Sequence, residues 1–600
     1  MFLRCCTRKK DGKEHRYWSI VENKRCLGDR IVQRHVLYLG EINDQQQAAW
    51  EKTIEIFEQD QPQPRTVALF PEDRPLEVAD EHIVRVKLCE LQLRRPRQWG
   101  ACWLAGHLYQ ELGLDQFWSQ RLPLSRKGTR WDLVLQTLCA YRLIDPGSEW
   151  RLHRQWFEQS AMADLLGADF GQLAESHKLY ECHDLLLEHK AALFAHLTQR
   201  WKDLFNAKFD VLLYDLTSSY FESNPPFGEE DKRKFGYSRD KRSDCVQVVI
   251  ALIVTPEGFP LAYEVLAGNT SDKTTLQAFL EKIEKQYGKA QRIWVMDRGI
   301  PTEKVLQEMR QSDPPVLYLV GTPKGRLSKL EAQLTECPWQ KARAGVEVKL
   351  LPQSGEVYVL ARSLDRLNKE RSMRRRQLKG LWKRLKELQG MELKRDALLM
   401  KLGAARQQAP SAWRLVKVQL PAKPKKKPDP EEQSAPKKLE FSLRKNKLRE
   451  VRRREGRYLL RTNMAERPGV ELWEFYLQLT QVEEAFKHLK GDLALRPFYH
   501  QKPERIEAHI FVAFLAYCLH VSLGRRLKDL APGLTPRSVL DKFKAMQMLD
   551  VHLPTTDGRE VILTRYTQPE ADQKLLLEKL KLQLPEQPPP KITAAQVPAK

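Results

Sequence analysis

VLLYDLTSSYFE, residues 211–222, decides the fold class of this chain. An apolar run leads into Asp215, which reads as a buried strand delivering an acid at its end. The pattern recurs in RIWVMDRGIP, residues 292–301, where the run IWVM leads into Asp297. A third segment, YLQLTQVEEAFKHLK at residues 476–490, has helical spacing and carries Glu483. Two strand-end aspartates and a helical glutamate offer only acceptor oxygens, the donor set that a pair of hard Mg²⁺ ions requires.

The order of elements around these acids narrows the fold. The strand at 211–221 is followed by strands at 245–254 (CVQVVIALIV) and 260–267 (PLAYEVLA), a helix at 274–287, and the strand ending at Asp297. A short helix and the strand 315–321 (PVLYLVG) complete the run. Three strands, a helix, then a strand with the second acid is the order of an RNase H-like fold. There the first and fourth strands lie side by side and bring their carboxylates together. The fold class read from the chain is a multidomain α/β protein. Its RNase H-like mixed sheet is flanked by helices and interrupted by an insertion domain, with N-terminal β and all-α modules before it.

Six hundred residues exceed a single core. Residues 1–60 read as a β-rich module, from alternation in RYWSIVENK and RIVQRHVLYLG, with a helix at 45–58. Residues 61–205 open on the linker 61–65 and read as helical; DNA binding and a purely structural role both fit. Residues 206–325 form the first part of the catalytic core, and 326–470 an insertion domain. Residues 471–550 form the second part of the core, and 551–600 a C-terminal tail. Within the insertion, residues 366–390 hold ten Lys/Arg against two Glu, with Leu378, Leu381, Leu385 and Leu388 at helical spacing. That is an amphipathic helix whose basic face is either solvated or in contact with phosphate. The proline- and charge-rich segment 421–438 reads as disordered.

The formal charge is 101 minus 78, or +23, and it is clustered, which points to a polyanion partner. No secretory signal is expected from MFLRCCTRKK, and the apolar run 510–519 is too short to span a bilayer. The ten cysteines lack CxxC pairs; Cys89, Cys102, Cys139 and Cys518 read as core thiols in a reducing cytoplasm. His183, His189 and His196 recur at near-helical spacing without a cysteine or acid to complete a zinc site, and His500 reads as a hydrogen-bonded structural residue.

Asp215 is expected to bridge two metal ions, with Asp297 and Glu483 each completing one. Tyr476, Glu483 and Lys490 are spaced by seven and share a helix face. On that face Lys490 is placed to hold a phosphate and Tyr476 to hydrogen-bond the DNA backbone. Glu484 is the rival for the metal role, about 100° away around the helix. Lys234, Arg239, Lys241 and Arg242 form a basic loop between the first two strands, either a grip on DNA or a solvated turn. Glu222, seven after Asp215, reads as a strand-end surface charge in preference to an accessory acid near the site, and Trp294 reads as core.

These motifs resemble the bacterial insertion-sequence DDE transposases that carry the Y-x2-R-x3-E-x6-K signature. Tyr476, Glu483 and Lys490 match it, while Leu479 stands in the arginine position. Asp215 in YDLTSSYFE and Asp297 in VMDRG match the two aspartate motifs. Further similarity lies in residues 236–252, 264–272 and 495–517, so the resemblance covers most of the chain. It implies a Mg²⁺-dependent enzyme, with Mn²⁺ as a substitute, that binds terminal inverted repeats in double-stranded DNA. Such enzymes pair two ends in a synaptic homodimer, cut them, and transfer the 3′ ends to target DNA, sometimes through a hairpin. It further implies a cytoplasmic, nucleoid-associated bacterial protein with no membrane partner. The alternatives are an RNase H-like nuclease or resolvase without strand transfer, and an inactive transposase-derived DNA-binding protein.

Overall fold

A computed structural model describes the chain except residues 1, 11–12, 27–29, 44–45, 48–49, 51–84, 124, 126–127, 223–227, 241, 271, 288–291, 354, 421–438 and 594–600. The linker 61–65, most of the expected helix 45–58 and the segment 421–438 therefore lie outside the described residues.

Strands β1 (Phe2–Lys10), β2 (Lys13–Cys26) and β3 (Arg30–Gly40) form a separate antiparallel sheet. The region expected to be helical instead begins, in its described part, with a 3-10 turn and strand β4 (Gln92–Gln98). Cys89 sits in that turn and is exposed, not a core thiol; Cys102, Cys139 and Cys518 are buried. From Gly100 to Phe205 the described elements are helices. The segment WDLVLQTLCAYRLI (Trp131–Ile144) is buried along nearly its whole length, against the long helix Pro503–Leu530.

The main sheet begins with β5 (Val211–Phe221), β6 (Val246–Val254) and β7 (Pro260–Ala267), then the helix Asp272–Tyr287, β8 (Ile293–Met296) and β9 (Leu317–Gly321). Every residue of β6 and β8 is buried, because these strands have neighbours on both edges and covered faces. β5 pairs antiparallel with β6 and parallel with β8, in register Tyr214 to Met296. The first and fourth strands of this unit are thus adjacent, as the element order requires.

The sheet does not stop there. β10 (Gln340–Arg343), β11 (Val346–Gln353), β12 (Glu356–Ser363) and β15 (Arg457–Thr462) extend it to nine strands, ordered β10-β11-β12-β15-β9-β8-β5-β6-β7. This corrects the expected insertion of 326–470, since much of that interval belongs to the main sheet. What leaves the sheet runs from Leu364 to about Gly456, between β12 and β15, which are themselves hydrogen-bonded neighbours. The excursion starts and ends side by side, so the sheet closes without it. It holds the 27-residue helix Leu364–Gly390, the helix Arg395–Gln408 and the two-stranded ribbon of β13 (Val416–Gln419) and β14 (Glu440–Leu443). Leu381, Leu385 and Leu388 pack there on Leu398, Leu402 and Val416, a core distinct from that of the sheet.

The expected C-terminal tail is also corrected. β16 (Gln547–Pro554) pairs with β4 and with β17 (Glu560–Tyr566), which pairs in turn with β18 (Lys591–Ile592). The Arg97 guanidinium is buried between Asp164 (2.8 Å) and Asp550 (3.1 Å), and Trp99 stacks on Tyr566 with ring centroids 4.0 Å apart. Strand β16 needs a partner on each edge, and β4, about 450 positions upstream, supplies one, which local pattern does not reveal. The helix Pro503–Leu530 has the length and mean hydropathy to cross a membrane, yet 94% of its apolar window is buried inside the fold.

Candidate active site

Asp215 lies within β5, not at its end as the apolar run suggested: the strand continues through Phe221 on the side paired with β6. What ends at Asp215 is the parallel pairing, whose last described pair is Tyr214 with Met296. Asp297 follows Met296 directly, so one step of parallel register sets the two aspartates abreast. The helix Leu479–Lys490 packs on β5 with Val482, Ala485, Phe486 and Leu489 buried, and Glu483 is left facing the cleft that the aspartates line. Asp215, Asp297 and Glu483 line one cleft of about 230 Å³, with Tyr476, Leu479 and Arg366.

Burial first, then the carboxylates of Asp297 and Glu483, push the Asp215 carboxyl up to about 7. Three acids converging on one cleft suit a divalent cation, which would offset the repulsion that raises Asp215. Tyr476 donates its hydroxyl hydrogen to Asp297 Oδ1 at 3.4 Å, and burial followed by that carboxylate raises the phenol's pKa. Glu484 points elsewhere. It faces His488 at 3.6 Å, lines a different cavity with His488 and His520, and is held below the usual carboxylate range chiefly by His488.

Gly321, the last residue of β9, makes this packing possible. A Cβ there would stand 2.7 Å from the Tyr476 hydroxyl and 3.4 Å from Asp297 Oδ1 and Arg298 N. Gly321→Ala is expected to displace Tyr476 and cut DNA cleavage by roughly tenfold, the scale of a misplaced reacting group. The unfolding midpoint should shift only modestly, by an overpacking cost of about 1–2 kcal/mol. Parallel cleavage rates and thermal melts check both.

The other sequence-predicted residues sit around the cleft rather than in it. Lys490 Nζ is 3.2 Å from Asp240, which also accepts from Arg496 at 3.1 Å. Burial, foremost, lowers the Lys490 ammonium pKa. Arg242 bonds Glu222 and Asp244, each at 3.0 Å, and lies over the Tyr220 ring, as does Arg496. Lys241 lies outside the described residues. Lys234 bridges Gln247 of β6 through both backbone groups, so the basic loop is partly woven onto the sheet. Gly268 permits that approach, since a Cβ there would meet the Gln247 carbonyl at 1.9 Å. Leu479, in the arginine position of the signature, is buried.

Arg366 is the residue that sequence reasoning missed. Ser363 caps the long helix by accepting from the Arg366 backbone N–H, which fixes Arg366 in the first turn at the cleft edge. Its guanidinium lies 4.6 Å from the Tyr458 ring centroid, and it bonds Glu370 at 3.2 Å. The excess of basic residues along 366–390 is the only signal in the sequence, and it does not distinguish Arg366 from nine others.

The model described as "Transposase DDE domain" matches residues 206–519, and that described as "IS1634 family transposase, N-terminal domain" matches residues 3–65. No curated protein matches the chain. Among solved structures it is similar to a chain of a cryo-EM structure of the piggyBac transposase synaptic complex with hairpin DNA. That likeness has a TM-score of 0.34 and 8% identity, over 77% of this chain and 81% of that one. With the first match spanning just over half of the chain and holding all three clustered acids, the chain belongs to the insertion-sequence DDE transposases, metal-dependent enzymes that cut DNA and transfer its strands.

Proposed function

We propose that Asp215, Asp297 and Glu483 hold two Mg²⁺ ions, with Mn²⁺ able to replace them, and that the enzyme excises its element by cutting at terminal inverted repeats. The observation carrying this reading is the convergence of the three carboxylates on one cleft, with the Asp215 proton affinity raised by burial and, after it, by its two acidic neighbours. When bound, the ions would supply activation of the attacking oxygen and charge stabilisation on the leaving one. Hydrolysis forms a P–O bond from water and releases the 3′ oxygen as a hydroxyl, which then attacks a target phosphate, forming a new P–O bond as the target's P–O3′ bond breaks and its 3′ oxygen leaves as a hydroxyl. Tyr476 orients Asp297 through its hydroxyl. A pair of ends calls for a homodimer in the synaptic complex, acting on double-stranded element ends and target in a bacterial cytoplasm, at the nucleoid.

With Leu479 buried, Arg366 takes the role of a guanidinium beside the scissile phosphate, a group suited to bidentate phosphate contacts. Lys490, Lys241 and Arg242 are assigned to the flanking DNA backbone; Lys490 and Arg242 exchange their carboxylate partners for phosphates on binding. The N-terminal sheet and the helical region 100–205 are assigned to end recognition, and the basic helix 364–390 to phosphate contact.

The test is an excision assay on a plasmid carrying a marker between the element's own ends. Wild type should excise and reinsert the marker with Mg²⁺ present, and should stop on chelation or with Asp297→Ala. Arg366→Ala should lower strand cleavage by roughly 10²-fold, as losing one transition-state donor does. Cleavage without reinsertion would favour the nuclease reading, and end binding without any cleavage would favour a retired DNA-binding protein.

A further inference from the structure

A second cluster lies on the helical side of the fold. Glu149 opens a one-turn helix, His183 belongs to the helix Ser176–Asp184, His509 to the buried helix Pro503–Leu530, and His500 to the connection that follows the Glu483 helix. All four side chains are almost wholly buried, and one ligand atom from each lies within 4.8 Å of all the others.

Around Glu149 Oε1, His500 Nε2 stands at 3.2 Å, His509 Nδ1 at 3.3 Å and His183 Nε2 at 3.6 Å. A tetrahedral ion with ligand bonds of about 2.0–2.1 Å has donor–donor edges of about 3.3 Å. The three edges that meet at Glu149 match that value, and the remaining pairs lie within 4.8 Å, close enough for a small inward shift to seat one ion.

The hydrogen bonds fix which nitrogens are available. His183 Nδ1 faces the Leu179 carbonyl at 2.8 Å, and His509 Nε2 faces the Leu495 carbonyl at 3.3 Å. A carbonyl only accepts, so both of those nitrogens carry the proton. In neutral rings the opposite nitrogens are then lone pairs, turned toward Glu149. The Arg142 guanidinium, which only donates, faces His509 Nδ1 at 3.4 Å, in keeping with a lone pair on that nitrogen. A bare imidazole nitrogen facing a carboxylate has no hydrogen between the two. Indeed His183 Nε2 and Glu149 Oε2 are buried without a hydrogen-bond partner. Histidines that donate one N–H to a backbone carbonyl and present the other nitrogen inward are arranged as metal ligands are.

We propose that Glu149, His183, His500 and His509 bind one divalent transition-metal ion of the Zn²⁺ class as a structural clamp. Three imidazoles and one carboxylate favour Zn²⁺ over Mg²⁺, which separates this site chemically from the all-carboxylate cleft. The clamp joins the helical region to the segment 491–502, which leads away from the Glu483 helix and carries Arg496, the partner of Asp240. Arg142 is the cation already present. Its firmer bond goes to the Ala494 carbonyl at 3.1 Å, with 3.4 Å to His509 Nδ1 and 3.8 Å to Glu149. A metal ion on His509 thus displaces only its longer contacts.

The test uses the full-length protein, purified without a metal-affinity tag from zinc-supplemented cells and dialysed into Mg²⁺ buffer. Elemental analysis should find a full equivalent of zinc per chain, retained in the triple variant Asp215→Asn, Asp297→Asn, Glu483→Gln. Replacement by Co²⁺ should give the intense visible bands of a tetrahedral site, and stripping with a strong chelator should lower the melting temperature. The double variant His183→Gln, His509→Gln should lose the zinc. Wild type that takes up no stoichiometric Zn²⁺ or Co²⁺ even in excess ion would overturn the proposal, whether or not the double variant folds. So would zinc content equal in wild type and the folded double variant, or zinc lost from the acid triple variant alone.

Discussion

Glu483→Gln is expected to lower strand cleavage by at least roughly 10³-fold while leaving binding to the element ends within a few-fold of wild type. Glutamine keeps the side chain's length and packing but removes the charge that an ion needs. The informative control is its neighbour. Glu484 faces His488 and a separate cavity, so Glu484→Gln should cleave within a few-fold of wild type. Single-turnover cleavage of a labelled end, run beside a mobility-shift titration, separates chemistry from binding. If Glu484→Gln is dead and Glu483→Gln active, the third acid has been misassigned.

Asp215→Asn should abolish cleavage to the same degree and yet stabilise the metal-free protein. The Asp215 carboxyl is raised to about 7 in the fold, against about 3.9 in an unfolded chain. Between those values the unfolded state has lost its proton and the native state still holds it. The group's contribution to stability is therefore fully present below about pH 4 and is lost as pH rises through 7. Above pH 7 the ionised carboxylate costs the fold roughly 2–4 kcal/mol, which asparagine does not incur. Denaturant melts in chelator should show the variant more stable at pH 8, with the gap closing toward pH 4. Saturating Mg²⁺ should close it at pH 8 as well, because the ion stabilises only the acid.

Both predictions rest on residues legible in the sequence. Asp215, Asp297 and Glu483 stand out through local pattern: buried strands leading into acids, and a helix whose polar face interrupts its apolar stripe. The parallel pairing of β5 with β8 is expected from the likeness of the element order to an RNase H-like fold, in which the first and fourth strands lie side by side. The basic helix of 366–390 is equally visible in its leucine spacing.

Other features have no local signature. That the insertion is confined to about 364–456 depends on β12 and β15 being neighbours, a pairing between strands about a hundred residues apart. The partnership of β4 with β16 joins positions about 450 residues apart, so the C-terminal region has the look of a tail in the sequence. Arg366 becomes a candidate only because Ser363 starts its helix at the cleft.

The histidine cluster shows the same division most sharply. Along the chain His183 groups with His189 and His196, the wrong companions, because a sequence window contains only neighbours in sequence. Its true companions are Glu149, His500 and His509, from three other elements. Sequence alone determined the chemistry that lies along one strand or one helix, where backbone periodicity sets which side chains share a face. Only the tertiary structure decided the contacts made between elements, because packing of buried surfaces chooses among pairings that local periodicity leaves equal.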